Sequence, residues 1–153
     1  MAKILVVDDE AAVRQLVRIV LEGEGHSVME AANGTLGLQE VEAFKPELLV
    51  LDVMMPGMDG YDVLRELRRR GLKKGMRVLL LTAKSAESDF IAGWKLGVDE
   101  YMTKPFDPEL LARTARMTLQ MSDGEVIEKR RHELEKANLF SRIESAFGEG
   151  TFD

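Results

Sequence analysis

Residues 48–60 read Leu48-Leu49-Val50-Leu51-Asp52-Val53-Met54-Met55-Pro56-Gly57-Met58-Asp59-Gly60. The aliphatic residues that open this stretch predict a strand buried on both faces, and the strand ends at the carboxylate of Asp52. The pairs Pro56-Gly57 and Asp59-Gly60 are typical of turns, so we expect an ordered loop before the next helix. Because ligand crevices in open parallel sheets lie beyond the carboxyl ends of the strands, this position suits Asp52 for chemistry.

Length and composition limit the classes of protein that the chain can represent. Its 153 residues suffice for one domain with a substantial core and an appendage. A net charge of -6 without a basic stripe argues against nonspecific binding to nucleic acid. The absence of cysteine excludes disulfides and thiolate metal sites. Met1-Ala2-Lys3 leads directly into a strand, without an apolar leader or membrane span, so we expect a soluble cytoplasmic protein.

Short apolar runs alternate with segments of helical periodicity along the chain. The runs predict strands at Ile4–Val7, Ser27–Ala31, Leu48–Asp52, Val78–Leu81 and Val98–Thr103. The periodic segments predict helices from Val13 to Leu21, Gly34 to Phe44, Tyr61 to Arg70, Ala86 to Leu96 and Pro108 to Met121. Five alternating strand and helix units predict an α/β fold, a doubly wound parallel sheet with helices on both faces.

Four of the predicted strands end in polar residues that carry chemistry. These residues are Asp8 and Asp9, Asp52, Thr82, and Lys104. Since the carboxyl ends of parallel strands share one edge, we expect three carboxylates, a hydroxyl and an ammonium in one crevice. Three carboxylates repel each other unless a cation neutralises them, and Mg²⁺ suits such oxygen ligands best. A phosphoryl group could bridge to that ion and contact Lys104 and Thr82.

The joint pattern resembles that of response-regulator receiver domains. The matching elements are Asp8-Asp9, Asp52 with Met55-Pro56-Gly57-Met58-Asp59-Gly60, Thr82-Ala83, Tyr101 and Lys104-Pro105-Phe106. The resemblance covers about Lys3 to Met121, and it implies a receiver at residues 1–121 with a helical extension at 122–153. It also implies the strand order 2-1-3-4-5 of flavodoxin-like and CheY-like folds.

The resemblance assigns roles at the phosphorylation site. It makes Asp52 the acceptor of a phosphoryl group from a histidine kinase or a histidine phosphotransfer protein. It assigns Mg²⁺ binding to Asp9, Asp52 and the backbone carbonyl of Met54, with Asp8 acting mainly through water. Such a receiver assists its own phosphorylation and dephosphorylation but turns over no external product, so we do not expect an enzyme.

The resemblance also implies how the signal leaves the site. Thr82 and Lys104 would contact the phosphoryl group, the peptide between Lys104 and Pro105 would be cis, and Thr82 with Tyr101 would form a switch pair. The output face would comprise the fourth helix, the fifth strand and the fifth helix. Phe90 and Trp94 lie four residues apart and could share that face, or they could be core residues.

Other readings stay open for the same residues. Asp8 and Asp9 could be helix N-caps, the commonest role of aspartate before a helix. A phosphatase with an aspartyl-phosphate intermediate would place a second aspartate two residues after the nucleophile, where this chain has Met54. A degenerate receiver that serves only as a docking scaffold would lack the ability to bind Mg²⁺.

The last segment of the chain predicts a separate interaction element. Ser122 and Glu125 can form a capping box that starts a new helix, or the fifth helix could continue with a kink. The helix has an apolar face centred on Phe140, Ile143 and Phe147. It could fold back on the receiver, but the charged stretch before it favours projection away, so we expect docking on a second copy or on a downstream protein.

Overall fold

The computed structural model describes residues 1–83 and 87–148, with the side chains at all of these positions except 87–89, 141, 147 and 148. Its strands are β1 (Lys3–Val7), β2 (Ser27–Ala31), β3 (Leu48–Asp52), β4 (Arg77–Thr82) and β5 (Glu100–Thr103). Its helices are α1 (Ala11–Gly23), α2 (Gly34–Phe44), α3 (Gly60–Arg69), α4 (Glu87–Lys95), α5 (Pro108–Gln120) and α6 (Asp123–Gly148).

The strands form one parallel sheet in the order β2-β1-β3-β4-β5, as predicted. Every residue of β3 is buried, because helices cover both faces of the central strands. One apolar cluster, which includes Leu49 and Leu67, packs under α2 and α3. A second cluster, which includes Val50 and Leu111, packs under α1 and α5. The sheet edge at the carboxyl ends of the strands therefore has a rigid base.

The fifth strand is shorter than predicted because its expected first residues close α4. Gly97 has a positive φ of 96° and donates to the carbonyl of Trp94, while Val98 donates to the carbonyl of Gly93. This pattern is a Schellman motif, in which the last carbonyls of a helix are satisfied by the residues after it. The strand consequently begins at Glu100. Ala86, the predicted start of α4, lies outside the described residues.

The capping box that was one of two predictions for the last segment is present. Ser122 Oγ accepts from Glu125 N at 3.1 Å, and Ser122 N donates to Glu125 Oε1 at 3.4 Å. Met121 before it is extended, so α5 and α6 are separate helices. Arg77 on β4 donates to the carbonyl of Met121 and to Asp123, which holds this turn against the sheet.

The charged stretch that opens α6 packs on the receiver, so the expectation that it projects away is wrong. Arg130 donates to Asp99 at 2.8 Å and to the carbonyls of Gly97 and Val98. Lys129 forms an ion pair with Glu100 on β5. The physical reason is that Asp99 is a fully buried carboxylate, and a buried charge requires cationic partners.

Asp99 is the centre of this contact between the helix and the sheet. Besides Arg130, it accepts from Val78 N at 2.7 Å and from Lys73 Nζ at 3.2 Å. Val126, one turn earlier on α6, is also buried. The start of α6 is therefore fixed at the amino-terminal ends of β4 and β5. Within the described residues, no helix has the length and apolar character needed to cross a bilayer.

Candidate phosphorylation site

Two buried carboxylates lie at the carboxyl ends of β1 and β3. Asp52 is the last residue of β3 and is 2% exposed, while Asp8 follows β1 and is fully buried. The backbone N of Asp8 donates to the carbonyl of Ala31, so β1 and β2 hold this position together. Asp9 and Glu10, the next residues, are exposed at the same edge. The sheet thus brings together the acidic residues that the sequence predicted to converge.

Lys104 reaches this pair of carboxylates from the end of β5. Its backbone N donates to the carbonyl of Thr82 at 2.8 Å, which fixes its position beside the end of β4. Its Nζ lies 2.7 Å from Asp8 Oδ2 and 3.3 Å from Asp52 Oδ1. The peptide between Lys104 and Pro105 is cis. One ammonium therefore faces two buried carboxylates.

The electrostatics of the site leave negative charge uncompensated. Burial, together with the negative charge of Asp8, raises the pKa of Asp52 to about 7, against the opposing effect of Lys104. Burial alone would lower the pKa of Lys104, but its hydrogen bond to Asp8 and the charge of Asp52 outweigh burial, so the pKa of Lys104 is raised. An ionised Asp52 is thus disfavoured without a further cation.

The donors at this edge fit a hard divalent cation. Carboxylate oxygens of Asp8, Asp9 and Glu10 all lie within 4.8 Å of one another. The neighbouring carboxyl of Asp9 also contributes, as the smallest cause, to the raised pKa of Asp52. All of these donors are oxygens, and Mg²⁺ prefers such oxygens together with several waters. The cluster could therefore hold a metal ion beside Asp52.

The loop after β3 is folded closely around Asp52. Met54 N donates to Asp52 Oδ1 at 3.3 Å, so this peptide lies beside the carboxylate. Gly57 has a positive φ of 74°, which favours glycine. A Cβ on Gly60 would lie 2.5 Å from the backbone O of Asp52, so α3 can begin this close to β3 only with glycine. Asp59 caps α3 through a capping box with Asp62.

Thr82 and Tyr101 lie on neighbouring strands at the other side of the site. Thr82 ends β4 and is 2% exposed. Its backbone carbonyl accepts the hydrogen bond from Lys104 N. Tyr101 on β5 pairs with Leu80 and is partly buried against the core. The hydroxyl of Tyr101 donates to the carbonyl of Phe90 on α4 at 3.0 Å.

Three aromatic rings link β5 to α4. The ring of Tyr101 meets those of Phe90 and Trp94 edge to face, with centroids 4.7 Å and 5.3 Å away. A Cβ on Gly93 would lie 1.6 Å from the Tyr101 hydroxyl oxygen, so the tyrosine occupies the space that a side chain there would fill. Trp94 is only 6% exposed, whereas the sequence left its exposure open. The tyrosine is thus packed inward on α4.

The predicted tail residues lie apart from the candidate phosphorylation site. Phe140 and Ile143 line an open groove of about 530 Å³ between α6 and α4, together with Phe90 and Trp94. They are 49% and 48% exposed. The side chain of Phe147 lies outside the described residues.

Three residues near the site were not identified from the sequence. Glu10 belongs to the acidic cluster and lies 3.7 Å from Lys104 Nζ. Arg14 on α1 donates to the carbonyl of Asp8 at 2.6 Å. Gly93 provides the space for Tyr101. A glycine inside a helical pattern often indicates close packing. Of these three residues, only Gly93 therefore had a feature in the sequence from which its role could have been predicted.

Comparisons with known proteins agree with this geometry. The family model described as "Response regulator receiver domain" matches residues 4–116. The alkaline phosphatase synthesis transcriptional regulatory protein PhoP of Bacillus subtilis is 43% identical over 79% of this chain and 50% of its own length. The DNA-binding response regulator MtrA of Mycolicibacterium paratuberculosis is 40% identical over 82% of this chain and 55% of its own length. The chain thus spans about half the length of the curated relatives it matches.

Solved structures of similar size show the same fold. The chemotaxis protein CheY4 of Vibrio cholerae superposes with a TM-score of 0.73 at 31% identity, covering 77% of this chain and 98% of its own. A response regulator from Chloroflexus aurantiacus has a TM-score of 0.73 at 36% identity, covering 78% of this chain and 98% of its own. With a parallel sheet in the order 2-1-3-4-5 and a matching family model, the chain belongs to the response regulator receiver domain family.

Proposed function

We propose that this chain receives a phosphoryl group on Asp52 and passes the signal on by protein contacts. The donor would be a phosphohistidine on a histidine kinase or on a phosphotransfer protein. An oxygen of Asp52 would attack phosphorus, the bond from phosphorus to the histidine nitrogen would break, and the released imidazole would take up a proton. The single observation that carries this proposal is the buried Asp52 at a strand end, within 3.3 Å of Lys104.

The chain's own side chains suit each part of this reaction. Lys104 would pair with the negative phosphoryl oxygens, and Thr82 would donate a hydrogen bond to one of them. Asp8, Asp9, Asp52 and the carbonyl of Met54 would hold Mg²⁺, with Glu10 as a further nearby carboxylate. When bound, Mg²⁺ supplies positive charge that stabilises the negative charge of the transferring group.

The proposed response follows from the packing of Tyr101. If Thr82 turns toward the phosphoryl group, the space behind it changes, and Tyr101 packs on α4 next to that space. Because Tyr101 contacts both Phe90 and Trp94, a change at Thr82 would reach the face formed by α4, β5 and α5. A downstream protein or a second copy would bind on that side in the cytoplasm.

We do not expect turnover of an external substrate. The position two residues after Asp52 is Met54, which cannot act as the acid or base that an aspartyl-phosphate phosphatase requires. MtrA, one of the relatives, is a DNA-binding response regulator, and this chain matches about half of the length of such relatives. The proposed output, a protein contact, is based on the packing of Tyr101 against Phe90 and Trp94 on α4.

Intact mass spectrometry after treatment with a small acyl phosphate and Mg²⁺ tests the proposal. The wild-type chain should gain one acid-labile phosphoryl group, and Asp52→Asn should gain none, because an amide is not a competent nucleophile. Removal of Mg²⁺ with a chelator should also prevent the gain.

The matched control is Asp107→Asn. Asp107 caps α5 and lies shortly after β5, and asparagine is an equally good N-cap, so this variant should be phosphorylated normally. Undiminished phosphate on Asp52→Asn would refute the assignment of the acceptor.

A further inference from the structure

The end of α6 forms one wall of an apolar groove. The groove has a volume of about 530 Å³ and is lined by Phe90 and Trp94 from α4 and by Ala137, Phe140 and Ile143 from α6. Phe140 and Ile143 are about half exposed, as is Leu139 at 57%. Three large apolar side chains in one helical segment form a surface that water does not favour.

The start of α6 holds this surface in a fixed position. Arg130 is bound to Asp99 and to two backbone carbonyls, beyond the carboxyl end of α4. From there α6 runs back along α4, since its later residues line a groove with Trp94 and then Phe90. An α-helix rises about 1.5 Å per residue, so Ile143 lies about 20 Å beyond Arg130. The apolar residues are thus presented on an anchored helix.

The sequence of this helical segment is complementary to itself in the antiparallel direction. Suppose that two copies of α6 run antiparallel and cross at Phe140. The residue four positions before Phe140 in one copy then faces the residue four positions after Phe140 in the other copy. Lys136 thereby faces the partner's Glu144, and the small Ala137 faces the larger Ile143 of the partner subunit. Lys136 and Glu144 are both exposed. A two-fold axis repeats each of these pairs, as an isologous interface requires.

We propose that two copies of this chain associate through an antiparallel contact between the second halves of their α6 helices. Each copy inserts its Phe140 and Ile143 into the groove between α4 and α6 of the other. Lys136 and Glu144 pair across the rim and set the register. The groove is present without phosphorylation of Asp52, and the proposed interface goes beyond the signalling role proposed above.

Sedimentation equilibrium of the full chain over a wide concentration range tests the proposal. The wild-type mass should rise from that of one chain to that of two. Phe140→Asp should weaken association by at least about tenfold, because it places a charge at the centre of the interface. Ile127→Asp is the matched control, since Ile127 is 61% exposed on the same helix but does not line the groove, and it should leave association unchanged.

A charge exchange tests the register. Lys136→Glu alone should weaken association, because it faces Glu144 of the partner subunit with like charge, and Glu144→Lys in the same chain should restore it. A mass of one chain at every concentration overturns the proposal, as does a dimer that Phe140→Asp leaves intact. A double variant that associates as weakly as Lys136→Glu refutes the antiparallel register.

Discussion

Asp52 illustrates how a single buried carboxylate affects stability and chemistry together. Its carboxyl has a pKa near 3.8 in an ordinary setting and about 7 in the folded protein, chiefly because of burial and the charge of Asp8. Near neutral pH the ionised form of Asp52 is therefore disfavoured in the folded protein unless a further cation binds beside it. This property suits the proposed role of Asp52, which is to bind a metal ion and to attack phosphorus.

Without Mg²⁺, the free energy of unfolding should fall as the pH rises from about 4 to about 7. In that range the folded state binds more protons than the unfolded state, because the pKa of Asp52 is raised on folding. At about 1.4 kcal/mol per pKa unit, a rise of the pKa from 3.8 to about 7 corresponds to a contribution of roughly 4 kcal/mol from Asp52. Urea denaturation in a chelator at several pH values would measure it.

The reference for this measurement is Asp52→Asn, which removes the titrating group and keeps its shape. The difference in free energy of unfolding between this variant and wild type should grow in favour of the variant as the pH rises. Saturating Mg²⁺ should reduce or reverse the difference, since the ion binds the folded wild-type site. A difference that is independent of pH would show that the pKa of Asp52 is not raised.

At the scale of elements, the packing of α4 on β5 depends on one glycine. Gly93 leaves space for the Tyr101 hydroxyl, and a Cβ at that position would be 1.6 Å from the hydroxyl oxygen and 3.3 Å from Leu80 Cδ1. Tyr101 in turn donates to the carbonyl of Phe90. The inward position of the tyrosine is thus compatible with glycine and with no larger residue.

Gly93→Ala should therefore destabilise the protein, although alanine favours helices. In an unconstrained helix this substitution stabilises by up to about 1 kcal/mol. Here we expect a loss of about 1–3 kcal/mol, because Tyr101 must leave its site or α4 must shift. Chemical denaturation of Gly93→Ala, Tyr101→Ala and the double variant would measure the coupling.

The background with Tyr101→Ala provides the control. Once the tyrosine ring is absent, the same Gly93→Ala change should become neutral or stabilising, because the remaining contact with Leu80 is much less severe. If Gly93→Ala changes the free energy of unfolding equally in both backgrounds, then Gly93 does not provide the space for Tyr101.

At the scale of the whole molecule, Trp94 lies between Tyr101, which is near the candidate phosphorylation site, and the tail helix α6. It packs on Tyr101 at 5.3 Å, it lines the groove against α6, and it is the single tryptophan of the chain. The fluorescence of the protein therefore reports this one position. Any movement of Tyr101 or α6 should alter the surroundings of the indole ring.

Addition of Mg²⁺ and beryllium fluoride, a phosphoryl mimic, should change the fluorescence of Trp94 in the wild-type protein. Thr82→Ala should reduce this change strongly, because the hydroxyl that would follow the phosphoryl group is absent. Asp52→Asn should show no change and serves as the control for binding. A full response in Thr82→Ala would rule out the route from Thr82 through Tyr101.

The sequence by itself determined the sheet and the convergence of Asp8, Asp52, Thr82 and Lys104 at one edge. Buried parallel strands appear in the sequence as continuous apolar runs. The alternation of these runs with helices predicts parallel strands, and parallel strands have their carboxyl ends at one edge of the sheet. These features depend on local patterns, so they could be read without the structure. The motif also led to the family, which the comparisons establish.

Only the tertiary structure decided where α6 packs and which residues make room for the side chain of Tyr101. The charged start of α6 had the composition of a solvated spacer, yet Arg130 binds Asp99, which lies 31 residues earlier in the chain. Likewise, the sequence did not show that Gly93 accommodates Tyr101. Such contacts join segments that are distant in the sequence. They are favourable because folding buries the carboxylate of Asp99 and the ring of Tyr101, and no local sequence pattern specifies where these groups become buried.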